Sequence, residues 1–203
     1  VNWIDTNLKD LKSKEIAISY DGKIQKIIRA HDSSGNIYFS NDYGEKDSWE
    51  NYDIDVPAVL PRIELSHICI SKTGDVQTIS DASGNIYISD NYGEQFEKIT
   101  PIPNIIKIIM SENGEIQVLI TSNDIYISDN YGKKWIKKYT VPILIKDISI
   151  SEDGEYISII TTDKVYISNN YGTSFKEIYP NLSTPIPSPT LLNNFLSITM
   201  TKD

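Results

Sequence analysis

The chain has 203 residues, 39% of them hydrophobic, and a formal net charge of -9, a composition ordinary for a folded protein with enough apolar residues for a core. Its 19 Lys and Arg stand singly or in pairs against 28 Asp and Glu, so the clustered basic footprint that phosphate neutralisation needs is missing and no nucleic-acid partner is expected. No apolar run approaches the ~18 residues of a membrane span, so no membrane insertion is expected either.

In chain order, each unit opens on an apolar stretch that ends in Ser and runs into a turn containing Gly. These are residues 16–19 before Gly22, 68–71 before Gly74, 108–111 before Gly114 and 148–151 before Gly154. Period-two alternation with β-branched residues predicts a strand, here strand A, and the Asp-Gly, Thr-Gly and Asn-Gly pairs predict tight hairpin turns. The middle position of strand A is Ala17, Cys69, Ile109 or Ser149. Mostly small residues there fit an innermost strand, where space tapers. Cys69, the single cysteine, allows no intrachain disulfide and is expected as a small buried hydrophobe.

Strand B follows over residues 24–29, 76–80, 116–120 and 156–160. Val118-Leu119-Ile120 and Ile157-Ser158-Ile159-Ile160 are apolar on both faces, as expected where a sheet is covered on both sides. Strand C is Ile37-Tyr38-Phe39-Ser40 and its copies, and strand D is the stretch after each Tyr-Gly. Four strands per unit are thus predicted.

The turn between strands C and D returns almost word for word: Ser40-Asn41-Asp42-Tyr43-Gly44, Ser89-Asp90-Asn91-Tyr92-Gly93, Ser128-Asp129-Asn130-Tyr131-Gly132 and Ser168-Asn169-Asn170-Tyr171-Gly172. Its tyrosines fall 49, 39 and 40 residues apart. About forty strand-like residues per unit is the size of one four-stranded propeller blade. Three residues beyond Gly comes an aromatic, Phe96, Trp135 or Phe175, whereas in the first copy Trp49 comes five beyond.

This pattern resembles the Asp-box, or BNR repeat: Ser or Thr, any, Asp, any, Gly, any, any, Trp or Phe. The resemblance implies an all-β fold, a β-propeller of four-stranded antiparallel blades with Asp-box C–D turns, with about four full blades and two partial ones in this chain. It assigns structural roles to Ser40, Asp42, Gly44 and Trp49, to Ser89, Asn91, Gly93 and Phe96, to Ser128, Asn130, Gly132 and Trp135, and to Ser168, Asn170, Gly172 and Phe175. Three copies carry Asn where the family most often has Asp. An Asp or Asn side chain accepts hydrogen bonds from the turn's own amides and Gly supplies positive φ. The aromatic anchors the outer strand against its neighbour. In the families that carry the box it is structural, and its spacing lacks the alternating carboxylates and distal Glu of a calcium loop, so neither metal nor cofactor is expected.

Aligned on the box, residues 1–8 read as the last strand of a blade, 15–52, 64–99, 105–139 and 145–179 as full blades, and 193–203 as the first strand of a further blade. The expectation is a single, incomplete propeller over 1–203 that needs the remainder of the same ring, or another copy, for closure.

Binding is expected on loops carried by this scaffold, at the end opposite the boxes. The candidates are His31, Asp32 and Arg62, with Asp81, Asp124 and Asp163 at matching places in later repeats. His31 and His67 fall in different blades and give no zinc spacing. Sialidases share the Asp-box propeller but grip their substrate with three arginines, and this chain holds only Arg29 and Arg62. The favoured function is a non-catalytic scaffold or binding module for protein or glycan partners, in an assembly such as a virion or cell-surface structure. The alternatives are an Asp-box glycoside hydrolase, and an intracellular assembly factor resembling the photosystem-assembly-factor group.

Overall fold

The computed structural model describes residues 12–29, 36–53, 64–162, 164–178 and 197–199. The chain divides into two compact units, Val1–Asn104 and Ile105–Asp203. All its described regular structure is β. The first unit holds a sheet of β1 (Ser13–Ile18), β2 (Gln25–Arg29), β3 (Asn36–Ser40) and β4 (Glu50–Asp53), and a second of β5 (Leu65–Ile70), β6 (Gln77–Asp81), β7 (Ile86–Ser89) and β8 (Glu97–Ile99). The second unit holds a third sheet of β9 (Lys107–Met110), β10 (Gln117–Ile120), β11 (Asp124–Ser128) and β12 (Ile136–Thr140). Its fourth sheet is β13 (Ile145–Ile150), β14 (Ile157–Thr161), β15 (Val165–Ser168) and β16 (Lys176–Ile178). Each sheet is an antiparallel meander in chain order, so its first and third turns share one end and its second turn lies at the other.

The all-β expectation is met, with one local correction. The Ser that closes each apolar stretch lies just outside its strand, because its hydroxyl is needed in the turn. Ser19 N–H donates to Ile24 O at 2.9 Å and Ser19 Oγ accepts from Ile24 N at 2.9 Å, enclosing four residues. The first turns are therefore four-residue loops, not two-residue hairpins. Strand A also starts earlier than its apolar run, and its ladder slips between Ser13 and Glu15, Leu65 and His67, and Ile145 and Asp147, a bulge that strengthens local twist.

Period-two alternation places Ile28 and Ile37 of the first sheet against Leu65, Ile68, Ile79 and Tyr87 of the second, all buried. In the second unit Ile116, Val118, Ile120, Ile125 and Ile127 meet Ile145, Ile148, Ile157, Ile159 and Tyr166 in the same way. The central strands β6, β10 and β14 are buried along their whole length; the apolar wording of β10 and β14 suits burial on both faces, whereas β6 buries the polar Gln77, Thr78, Ser80 and Asp81 as well as Ile79.

Polar pairs tie the first strands of the two sheets within each unit. Glu15 on β1 accepts from the Ile68 amide at 2.7 Å and faces His67 Nδ1 at 3.5 Å. Asp147 on β13, the counterpart of Glu15, pairs with Lys107 on β9 and accepts from the Ile198 amide at 3.0 Å. Cys69 is half-buried, and burial, with the Glu15 charge beside it, pushes its thiol pKa up.

Candidate functional site

The end of each sheet that carries the first and third turns is built from side chains folded back on their own backbone. Ser89 Oγ accepts from the amides of Asn91 and Gly93 at 3.3 and 3.0 Å and donates to Asn91 Oδ1 at 2.7 Å, which also accepts from Gln95 N at 3.1 Å. Ser128 and Asn130, with Gly132 and Lys134 N, repeat this network, as do Ser168 and Asn170 with Gly172 and Ser174 N. In the first copy Ser40 Oγ accepts from Asp42 N and Gly44 N, but its partner is Ser48 Oγ at 2.7 Å. The two extra residues before Trp49 bring Ser48 to that place, and Trp49 Nε1 donates to Gly44 O at 3.3 Å.

Both residues of each Tyr-Gly adopt positive φ, for instance 62° at Tyr92 and 82° at Gly93, so the turn demands more of Tyr than its wording shows. The amides of Tyr43, Tyr92, Tyr131 and Tyr171 donate to the carbonyls of Lys23, Asp75, Glu115 and Glu155, locking third turn to first turn. Their rings stay about half exposed. The aromatics beyond Gly reach inward: Phe96 packs on the core of the first unit and Phe175 on that of the second, 5.6 Å from the Tyr139 ring. Trp135 is half-buried, and its Nε1 has no acceptor among the described residues.

The first turns repeat the same chemistry, which sequence reasoning missed. Ser19 Oγ donates to Asp21, Ser71 to Asp75, Ser111 to Asn113 and Ser151 to Asp153. Hydrogen bonds from Ser19 and the Lys23 amide hold the Asp21 carboxyl below the usual range. Burial works against ionisation of Asp75, but the Thr73 and Ser71 hydroxyls and the Val76 amide outweigh it, and its pKa is also lowered. Gln25, Gln77 and Gln117 donate to the carbonyls of Gly22, Gly74 and Gly114 at 2.9–3.0 Å. The signal was there to be read, a Gln three residues after the turn Gly in three of the four copies, the fourth having Ile157.

Of the candidates expected at the opposite end, His31, Asp32, Arg62 and Asp163 lie outside the described residues. Asp81 is buried, and both its oxygens are engaged. Oδ1 accepts from the Ser83 and Asn85 amides at 2.9 Å, and Oδ2 from Asn85 Nδ2 and the Tyr87 hydroxyl at 2.7 and 3.1 Å. Burial and the Asp81 charge push the Tyr87 hydroxyl pKa up. Asp124 accepts from Thr140 Oγ1 at 2.6 Å and Lys137 Nζ at 3.2 Å, the Thr140 bond first among the causes that lower its pKa.

What opens to solvent at the turn end of the first unit is a cleft of about 670 Å³. The first turn of the first sheet contributes Tyr20, Asp21 and Lys23, and the second sheet contributes Lys72, Tyr92 and Glu94. Tyr20 N–H donates to Lys72 O at 2.9 Å, and Lys72 Nζ stands 4.4 Å from the centre of the Tyr20 ring. Tyr20 as a whole is still 78% exposed.

These features define a repeat protein of four-stranded antiparallel sheets with self-capped turns. Neither protein-family models nor curated protein sequences match the chain. Among solved structures it is similar to U3-55K (TM-score 0.65, 10% identity, 86% of this chain and 54% of that one). It is also similar to YCF48 bound to D1 peptide (TM-score 0.60, 12% identity, 85% and 56%) and to an ancestral GH74 enzyme (TM-score 0.59, 12% identity, 82% and 25%). These are β-propeller proteins, and at such identities the likeness is one of fold alone. The chain spans little more than half the length of the first two and a quarter of the third.

Proposed function

We propose that the chain is a non-catalytic β-propeller module with Asp-box C–D turns, part of a larger ring, that presents a rigid surface to protein or glycan partners. The observation that carries this reading is where the repeated polar groups go. The Ser and Asx side chains that recur from copy to copy bind their own turn backbones, as Asp81 does, and Asp124 is taken up by the Thr140 and Lys137 side chains of β12. Groups so engaged are poor acids, bases or nucleophiles, since catalysis needs them aimed at a substrate. Binding then falls to exposed side chains that are not taken up in this way, such as the box tyrosines and Tyr20. The fold likeness to propellers, one of them bound to a peptide, supports a binding scaffold in general terms.

The blade boundaries 15–52, 64–99, 105–139 and 145–179, with partial blades at 1–8 and 193–203, belong to the same proposal. The Ile198 amide bonded to Asp147 matches the Ile68 amide bonded to Glu15. That match supports residues 193–203 as the first strand of a further blade. A panel of aryl glycosides tests the function: no turnover is expected. Turnover that is lost on Asp32→Asn or Asp81→Asn would overturn the proposal in favour of a glycoside hydrolase.

A further inference from the structure

We infer that the cleft between the first two sheets is a binding site for a neutral oligosaccharide, with Tyr20 and Tyr92 as its aromatic platforms. This deepens the binding-module reading and rests on it. The cleft lies at the end that carries the Asx-capped turns, and its volume of about 670 Å³ falls in the ~300–1,000 Å³ range of ligand clefts.

The walls are held by the backbone. Tyr20 N–H is tied to Lys72 O at 2.9 Å, and Tyr92 N–H to Asp75 O at 3.0 Å, so both rings are presented from fixed turns. Lys72 covers one face of the Tyr20 ring by a cation–π contact, and with 78% of the residue exposed the ring still offers a flat apolar surface to the cleft. Lys23 and Lys72 are balanced by Asp21 and Glu94. A lining that is charged but sums to zero does not select an ionic ligand. What it does offer is donors and acceptors around two aromatic rings, which suits a molecule that is apolar on one face and hydroxylated at its edges, a pyranose ring.

The second unit supplies an internal control. There the Glu112 amide donates to Glu152 O at 2.7 Å, the same backbone tie between the same two turns. Glu112 and Glu152 stand where the first unit has Tyr20 and Lys72. The backbone tie is reproduced, and Tyr171 stands where the first unit has Tyr92, but the Tyr20–Lys72 pair is not reproduced, so that pair is peculiar to the first unit and is not a requirement of the turn.

The test is titration of the 203-residue chain with cello-, malto-, laminari-, manno- and chitohexaose. Calorimetry and saturation-transfer NMR are the readouts. The variants are Tyr20→Ala and Tyr92→Asn, the latter chosen because Asn tolerates positive φ, with Glu112→Gln/Glu152→Gln as control. At least one hexasaccharide is expected to bind, its ring protons saturated, with affinity reduced at least tenfold by either tyrosine change and unaltered in the control. Binding of none of them, or equal binding by Tyr20→Ala, overturns the inference. So does recovery from a random displayed library of a peptide that binds only when Tyr20 is present, with no sugar bound. Those failures leave the binding-module reading standing, since only glycoside turnover sinks it.

Discussion

Lys26 illustrates how a single side chain departs from the pattern around it. It is the second residue of β2, 2% exposed, with Nζ 4.5 Å from the centre of the Phe39 ring. Burial lowers its pKa from 10.5 to about 8, because the charged form loses hydration that an aromatic face only partly replaces. Between these two values the unfolded chain binds the proton and the folded chain releases it, so stability rises with pH across this window. The contribution is full above about 10.5 and lost as pH falls through about 8. Unfolding free energies from urea titrations at pH 7.5 and 10 are expected to differ by about 2 kcal/mol more in the wild type than in Lys26→Met. Equal pH slopes in the two proteins would show that the ammonium is not held in a desolvated place.

At the scale of the element, strands were legible and turns only partly so. Apolar runs such as residues 116–120 and 156–160 located β10 and β14 to within a residue, because burial on both faces favours apolar residues there, although β6 is buried as fully with mostly polar ones. The Ser-x-Asx wording of the C–D turns was legible because it recurs, and the same chemistry in the first turns was overlooked because Asp21, Asp75, Asn113 and Asp153 do not keep one spacing from their Ser. The cleft was not legible at all, since Tyr20 and Tyr92 belong to different repeats and meet only through sheet packing. Two glycines separate backbone strain from crowding in such turns. Gly22 has φ +77° with nothing near its missing Cβ, while at Gly84, φ +82°, a Cβ would lie 2.2 Å from Ile102 O. Gly22→Ala should then cost about 1 kcal/mol from positive φ alone. Gly84→Ala should cost at least about 2 kcal/mol more, since the obstructing atom is backbone and must be displaced. Thermal unfolding of the two variants checks this, and equal losses would mean that the Ile102 segment moves aside freely.

For the whole molecule, the governing fact is that each core lies between the two sheets of one unit. Ile79 is fully buried among Ile28, Ile37, Leu65 and Ile68, all in the first unit, whereas Ile159 and its partners lie wholly in the second. In repeat proteins stability is close to a sum over neighbours, so damage in one place need not spread evenly. Ile79→Ala removes buried methyl groups and leaves a cavity, at a cost of about 2–5 kcal/mol. Native-state hydrogen exchange resolved by fragment is expected to show faster opening of β1–β8 while β9–β16 keep most of their protection. A uniform loss across the sixteen described strands would instead make the chain one cooperative unit, with Ile79 a residue of the global core. The outcome bears on the cleft as well, because its two tyrosines are held by turns of the first and second sheets. If the first unit opens alone, oligosaccharide affinity in Ile79→Ala should fall in step with the exchange of β1–β8, and ligand should restore protection to those strands by mass action.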